Sequence, residues 1–304
     1  MGFRSRRDHP EPLSRLIKFE AGDGVELSGL LFEPRRRTKR AAIYLHGTGG
    51  ASIFDSRRAN LLAPVLNERG IAWFPFNNRG SYLVRRLSGP RQGMLGGMAH
   101  ERIRDCVHDI DGAIGLMRRR GFTELFLVGH STGANKIAVY DFYKKRNPVK
   151  RYVLLGGGDD VGLMHEQLGP RRFRSALAKS RERRGSSDLV PRSISELPMS
   201  WRSLHDMINP DGDYNVFPFL EAMGRVKLSR RPLFRHVKRI RKPAIAIFGE
   251  YDEYCFGDVA GCVATLADAV ADQPNFETVV MSGADHGFSG RERELGELMA
   301  AWLT

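Results

Sequence analysis

The chain has 304 residues, 41% hydrophobic and 9% aromatic, which is enough apolar material to bury a sizeable core and too much for wholesale disorder. No apolar run approaches the ~18 residues a membrane-spanning helix needs, and no apolar stretch follows the basic N-terminus (MGFRSRRDHP), so a secretory signal is not expected. The net charge of +13 on its own suggests a nucleic-acid binder, but it is regional: residues 161–242 hold 18 Lys+Arg against 8 Asp+Glu, residues 1–40 hold 10 against 6, and the rest carries a net −1.

Two alternating segments, 16–19 and 25–32, predict an antiparallel pair joined around residues 22–24. A different rhythm follows. The apolar run 41–45 ends in His46-Gly47-Thr48-Gly49-Gly50, and Leu61, Leu62, Val65 and Leu66 predict a helix behind it. The run 71–76 closes on Asn77-Asn78-Arg79-Gly80. Ile103, Val107, Ile110, Ile114 and Met117 recur every three or four residues and so share one face of a long helix. A short strand at 125–128, a helix opening with Ala134, Ile137 and Ala138, and a strand at 152–155 complete this part.

Apolar runs alternating with amphipathic helices predict an α/β architecture, a mostly parallel central sheet with helices on both faces. The alternation stops near residue 160. It resumes with a strand at 244–248, a helix near 258–271, a strand at 278–281 and a final helix at 291–303. The expected organisation is a core of residues 1–160 and 243–304 interrupted by a basic insertion, 161–242, helical in flavour and broken at Pro191, Pro198, Pro210 and Pro218.

Gly129-His130-Ser131-Thr132-Gly133 stands between a predicted strand and a predicted helix, the context of a G-x-S-x-G nucleophile elbow. A serine hydroxyl is a weak nucleophile until a base takes its proton, so Ser131 has to project clear of the backbone toward a histidine. Tiny residues two before and two after it let strand and helix nearly touch. The glycines after His46 let a backbone N–H point at developing negative charge; the expected oxyanion donors are Thr48 and Thr132.

The base is expected near the C-terminus, where His286 follows the last strand on a loop of small residues. Of the other histidines, His130 is locked in the elbow and His46 is structural beside the oxyanion turn. The remaining six (His9, His100, His108, His165, His205 and His236) are expected on helices, insertion or tail. Asp252 is the chosen acid, orienting the imidazole and stabilising its charged form; Glu250, Glu253, Asp159 and Asp160 are rivals.

The order Ser131, Asp252, His286 excludes the chymotrypsin and subtilisin arrangements. With the elbow, the glycine turn and both partners in place, residues 25–160 and 243–304 resemble the α/β-hydrolase superfamily. The resemblance implies a serine hydrolase acting mostly on carboxylic esters, with no metal and no organic cofactor, and a cap built from the segment after the sixth strand. One departure is that Asn77-Asn78 precede Arg79-Gly80, where many relatives carry an aspartate. Amide, thioester or lactone hydrolysis remain alternatives, as does a non-catalytic binding protein on the same fold.

Trp201, Leu204 and Ile208, with Phe217, Phe219, Leu220 and Met223 beyond, read as core of the insertion in preference to the roof of an acyl pocket. Its basic clusters, Arg171 to Arg184 and Arg230 to Lys242, read first as solvated helical faces. An anionic substrate or an acidic membrane surface is the sharper alternative, with membrane contact not favoured and nucleic acid not expected. Cys106, Cys255 and Cys262 make no even set, which argues against a disulfide framework and for a reducing, cytoplasmic setting; Cys255 reads as a small buried filler.

Overall fold

A computed structural model describes residues 12–54 and 57–304. The basic N-terminal segment read for a targeting signal, and His9 with it, lies outside the described residues. Strands β1 (Arg15–Glu20) and β2 (Glu26–Leu31) alternate buried and more exposed side chains and pair antiparallel, as half-buried strands do. Then come β3 (Arg40–Leu45), α1 (Arg58–Glu68) and β4 (Ile71–Asn77), followed by a two-stranded ribbon of β5 (Arg85–Arg86) and β6 (Leu95–Gly96). A 3-10 turn at Ile103–Asp105 leads into α2 (Cys106–Arg119), then β7 (Glu124–His130), α3 (Thr132–Tyr143) and β8 (Val149–Leu155). Helices α4 (Asp160–Glu182), α5 (Trp201–Ile208) and α6 (Phe219–Ala222) precede β9 (Ala244–Tyr251), α7 (Val259–Ala269), β10 (Phe276–Asp285) and α8 (Glu292–Leu303).

Eight strands form one sheet in the order β1-β2-β4-β3-β7-β8-β9-β10, antiparallel at the first two pairings and parallel at the other five. The middle strands are buried almost end to end because helices cover both faces. On one face α1 and α8 place Leu62, Leu66, Leu295, Met299 and Leu303 against Ala42, Trp73, Val128 and Ile247. On the other, α2, α3 and α7 bury Ile110, Met117, Ile137 and Leu266 with Ile43, Phe74 and Leu127.

Three sequence expectations change. Strand β9 runs on through Gly249, Glu250 and Tyr251, so the turn carrying Asp252 begins three residues later than the apolar run suggests. His100 stands in the loop ahead of the 3-10 turn, not on a helix. Trp201, Leu204, Ile208, Phe217 and Phe219 are buried, yet in the same continuous cluster as the α2 and α3 residues, so the insertion does not enclose a core apart from the sheet. Helix α4 is kinked at Gly169 (φ 72°), ahead of Pro170, whose ring fits the first turn of the second half. Among the described residues no helix is long and apolar enough to cross a membrane.

Candidate active site

Ser131 sits between β7 and α3 with φ 57° and ψ −131°, a positive φ that a non-glycine residue adopts only when its surroundings hold it there. The strain follows from how closely strand and helix approach. A Cβ on Gly129 would stand 2.3 Å from the Gly133 carbonyl oxygen, and one on Gly133 would stand 2.3 Å from that of Leu45 in β3. The turn is pinned by Ser131 N–H donating to Leu155 O at 2.8 Å. The side chain is partly exposed, and a Cβ on Gly47 would meet Ser131 Cβ at 2.8 Å, which puts the β3–α1 loop directly against it.

Asp252 and His286 meet at the ends of β9 and β10. His286 Nδ1 lies 2.9 Å from both Asp252 oxygens, and both side chains are buried. A carboxylate can only accept, so Nδ1 carries the hydrogen and Nε2 is left with a lone pair. The pair stands over Gly156, the residue after Leu155, where a Cβ would come within 3.0 Å of the imidazole and 3.2 Å of Asp252 Oδ2. Leu155 and Gly156 therefore join the Ser131 turn to the acid–imidazole pair. Among the described residues no hydrogen bond links Ser131 Oγ to His286.

The rival acids have other work. Glu250 is exposed and accepts from Ser282 Oγ (2.9 Å) and Gly283 N–H (2.7 Å), bonds that hold its carboxyl below the usual range. Glu253 accepts from the backbone N–H of His286 at 3.2 Å. Asp159 caps α4 through Gly162 N–H (2.7 Å) and takes Leu220 N–H (2.9 Å), and burial lifts it to about 7. Asp160 accepts from Asn135 Nδ2 at 3.2 Å.

His130 was expected to be merely locked in the elbow, but it holds the imidazole in place. Its Nε2–H donates to the His286 carbonyl at 2.7 Å and its ring stands 4.8 Å from the His286 ring. Burial keeps His130 well below the usual histidine range, hence neutral. Tyr254 packs edge-on against His286 at 4.5 Å. Burial and the Lys136 cation hold His46 down to about 3, and its Nδ1 bonds to Gly47 O at 2.7 Å.

Thr132 is buried at the first position of α3, where a backbone N–H has no partner within the helix. Thr48 lies in the β3–α1 loop next to Gly47. Neither N–H has a hydrogen-bond partner among the described residues. Beneath this loop Lys136 of α3, fully buried, pairs with Glu101 at 2.5 Å and donates to Asn78 Oδ1 at 3.1 Å, while Asn78 Nδ2 reaches His46 O at 3.4 Å. Asn78 is the second asparagine of the Asn77-Asn78-Arg79-Gly80 segment. Its amide accepts from Lys136 and donates toward His46 at once, which a carboxylate could not do. Lys136 lies in the apolar stretch with Ala134 and Ile137, and an isolated cation in such a stripe was the signal that could have exposed this network. Cys255 and Cys262 are buried free thiols, Cys262 Sγ donating to Cys255 O at 3.5 Å.

No protein-family model and no curated protein sequence matches the chain. Solved structures do. Est1E from Butyrivibrio proteoclasticus, with ferulic acid bound, superposes with a TM-score of 0.64 at 15% identity, covering 94% of this chain and 97% of that one. The esterase domain of a Rhodothermus marinus protein gives 0.56 at 17% identity over 95% and 97%. Dienelactone hydrolase from Anabaena variabilis gives 0.53 at 18% over 96% and 97%. The chain has the α/β-hydrolase fold.

Proposed function

We propose that the protein is a serine hydrolase that cleaves a small carboxylic ester through an acyl-enzyme, with Ser131 as nucleophile, His286 as base and Asp252 as the acid that orients it. The observation that carries this reading is the strained Ser131 turn, tied through Leu155 and Gly156 to a buried imidazole whose Nδ1 is committed to a carboxylate. Ser131 Oγ attacks the ester carbonyl carbon as His286 Nε2 takes its proton, and Asp252 stabilises the imidazolium. The N–H groups of Thr48 and Thr132 receive the oxyanion, each contributing on the order of 3 kcal/mol. His286 then protonates the departing alkoxide. Water, deprotonated by the same nitrogen, releases the acid and restores Ser131. The Ser131–His286 hydrogen bond forms with substrate in place, since such bonds are commonly long in free enzymes.

Two of the structural neighbours are esterases and one is a dienelactone hydrolase, which supports ester cleavage and makes a lactone the nearest alternative. Residues 161–242 act as a cap in this reading. Tyr214 lies beside Thr48, and a Cβ on Gly157 would stand 2.4 Å from the Phe217 ring, so this segment supplies the walls next to nucleophile and base. The test is turnover of p-nitrophenyl esters of increasing acyl length beside the matching p-nitroanilides. Ester cleavage is expected to dominate, and Ser131→Ala to lower kcat by about 10⁴-fold or more. Undiminished turnover by that variant, or faster anilide cleavage, contradicts the proposal.

A further inference from the structure

The two basic clusters of the insertion fare differently in the fold. In the second, Arg235 pairs with Asp213 at 3.0 Å, Arg239 lies over the Phe142 ring, and Lys242 donates to Asn147 and Val149 carbonyls at 2.6 Å. Those three cations are used inside the molecule, while Arg230, Arg231 and Lys238 of the same cluster are exposed. The first cluster is on the second half of α4, which turns Phe173, Ala176, Leu177 and Ser180 inward and leaves Arg171, Arg172, Arg174, Lys179 and Arg181 exposed, with Glu182 the one acid on that half of the helix; the following loop adds the exposed acids Asp188 and Glu196 and the exposed Arg192. Arg183 and Arg184 extend it past the helix end.

Among the described residues, the side chains of Arg171, Arg174, Lys179, Arg181 and Arg184 make no hydrogen bond or ion pair. The field of this surface reaches its neighbour: after burial, the Arg181 and Arg184 cations are what hold His205 below its usual range. Beside the helix lies the loop 186–199, tied to it by Arg172 donating to Ser193 O and by Ser186 N–H donating to Arg183 O, with Arg183 over the ring of Trp201 at the start of α5. On that loop Leu189 and Leu197 are exposed.

We infer that this face, the outer side of α4 with Leu189 and Leu197, docks the protein on an anionic lipid surface. Charge complementarity selects the occupant. The guanidinium groups spread along the outside of a helix and do not converge, which suits an extended sheet of negative headgroups and not a single small anion. Aromatic platforms for stacking the bases of a single strand are missing there, since Phe173 and Trp201 are buried. Exposed leucines beside the cations offer a shallow apolar contact with the acyl boundary.

The experiment is vesicle co-sedimentation of the full chain, with pure phosphatidylcholine compared with vesicles of about 30% phosphatidylglycerol, from about 0.05 M to about 0.5 M KCl. Binding to the anionic vesicles alone, lost at the higher salt, is expected. Each cation near such a surface accounts for about a fivefold factor in partition, so Arg174→Gln/Arg181→Gln lowers binding about 30-fold. Arg230→Gln/Arg231→Gln, which removes the same charge elsewhere, leaves it within about twofold. All four positions are exposed, and unchanged melting temperatures confirm that the variants fold. Ser131→Ala binds like the parent chain, so loss of the catalytic reading leaves this result standing. Equal binding to neutral vesicles, equal loss in the two double variants, or binding to duplex nucleic acid with none to vesicles overturns the inference.

Discussion

Replacing Asp252 by Asn changes one atom in a buried, fully committed site. His286 Nδ1 stands 2.9 Å from each oxygen, so whichever way the new amide turns, it can present N–H to that nitrogen. Nδ1 then accepts, the proton moves to Nε2, and the imidazole can no longer take a proton from Ser131. The corresponding change in a well-studied protease triad lowers kcat by about 10⁴, equivalent to about 5 kcal/mol of transition-state stabilisation. Shape is conserved, so the loss of stability stays within the ~1.5–3 kcal/mol of one charge-assisted hydrogen bond. Glu250→Gln and Glu253→Gln are the controls. Glu250 is exposed, and a Gln oxygen can still accept the His286 N–H that Glu253 holds, so both stay within about fivefold of the parent. The assay is kcat and KM on a p-nitrophenyl ester with a thermal melt of each variant. Asp252→Asn retaining activity within about tenfold, while a glutamate variant collapses, refutes the assignment of the acid.

Gly133→Ala drives a Cβ to 2.3 Å from Leu45 O, which only a backbone shift of about 1 Å relieves. A misplacement of that size lowers kcat by about 10² and comes with about 1–3 kcal/mol of destabilisation; full activity with an unchanged melting temperature contradicts the packing argument. Asp206 accepts from Ile103 N–H at 2.7 Å, and burial raises it from 3.8 to about 7. The folded protein keeps this proton between about pH 4 and 7 while the unfolded chain releases it, so stability is lost as pH rises through that window, by up to about 4 kcal/mol. Asp206→Asn keeps an oxygen for Ile103 and removes this slope. Urea unfolding at both ends of the window checks it, and parallel pH curves for parent and variant disprove it.

The parallel strands and their helices were legible in the sequence because each is a local pattern: apolar runs of strand length and stripes of period three to four. The elbow was legible for the same reason, since Gly129 and Gly133 report a contact between adjacent elements. Contacts between distant segments were not. Nothing local links His130 to the His286 carbonyl, 156 residues away, or Lys136 to Glu101. The β5–β6 ribbon, two residues a side among glycines, is too short to show a period. The end of β9 was misread because Glu250 and Tyr251 are exposed strand residues, and a pattern of burial stops where exposure starts. The kink at Gly169-Pro170 was there to be read; the helical run on both sides concealed it.

The claim on which the catalytic reading depends is that one hydroxyl, held at φ 57° between β7 and α3, is an activated nucleophile. Reaction with a fluorophosphonate followed by peptide mass mapping tests it most directly. A single adduct on the peptide containing Ser131, absent in Ser131→Ala and slowed at least about 10³-fold in His286→Ala, is the predicted result. An unlabelled protein, or an adduct on any other serine, contradicts it.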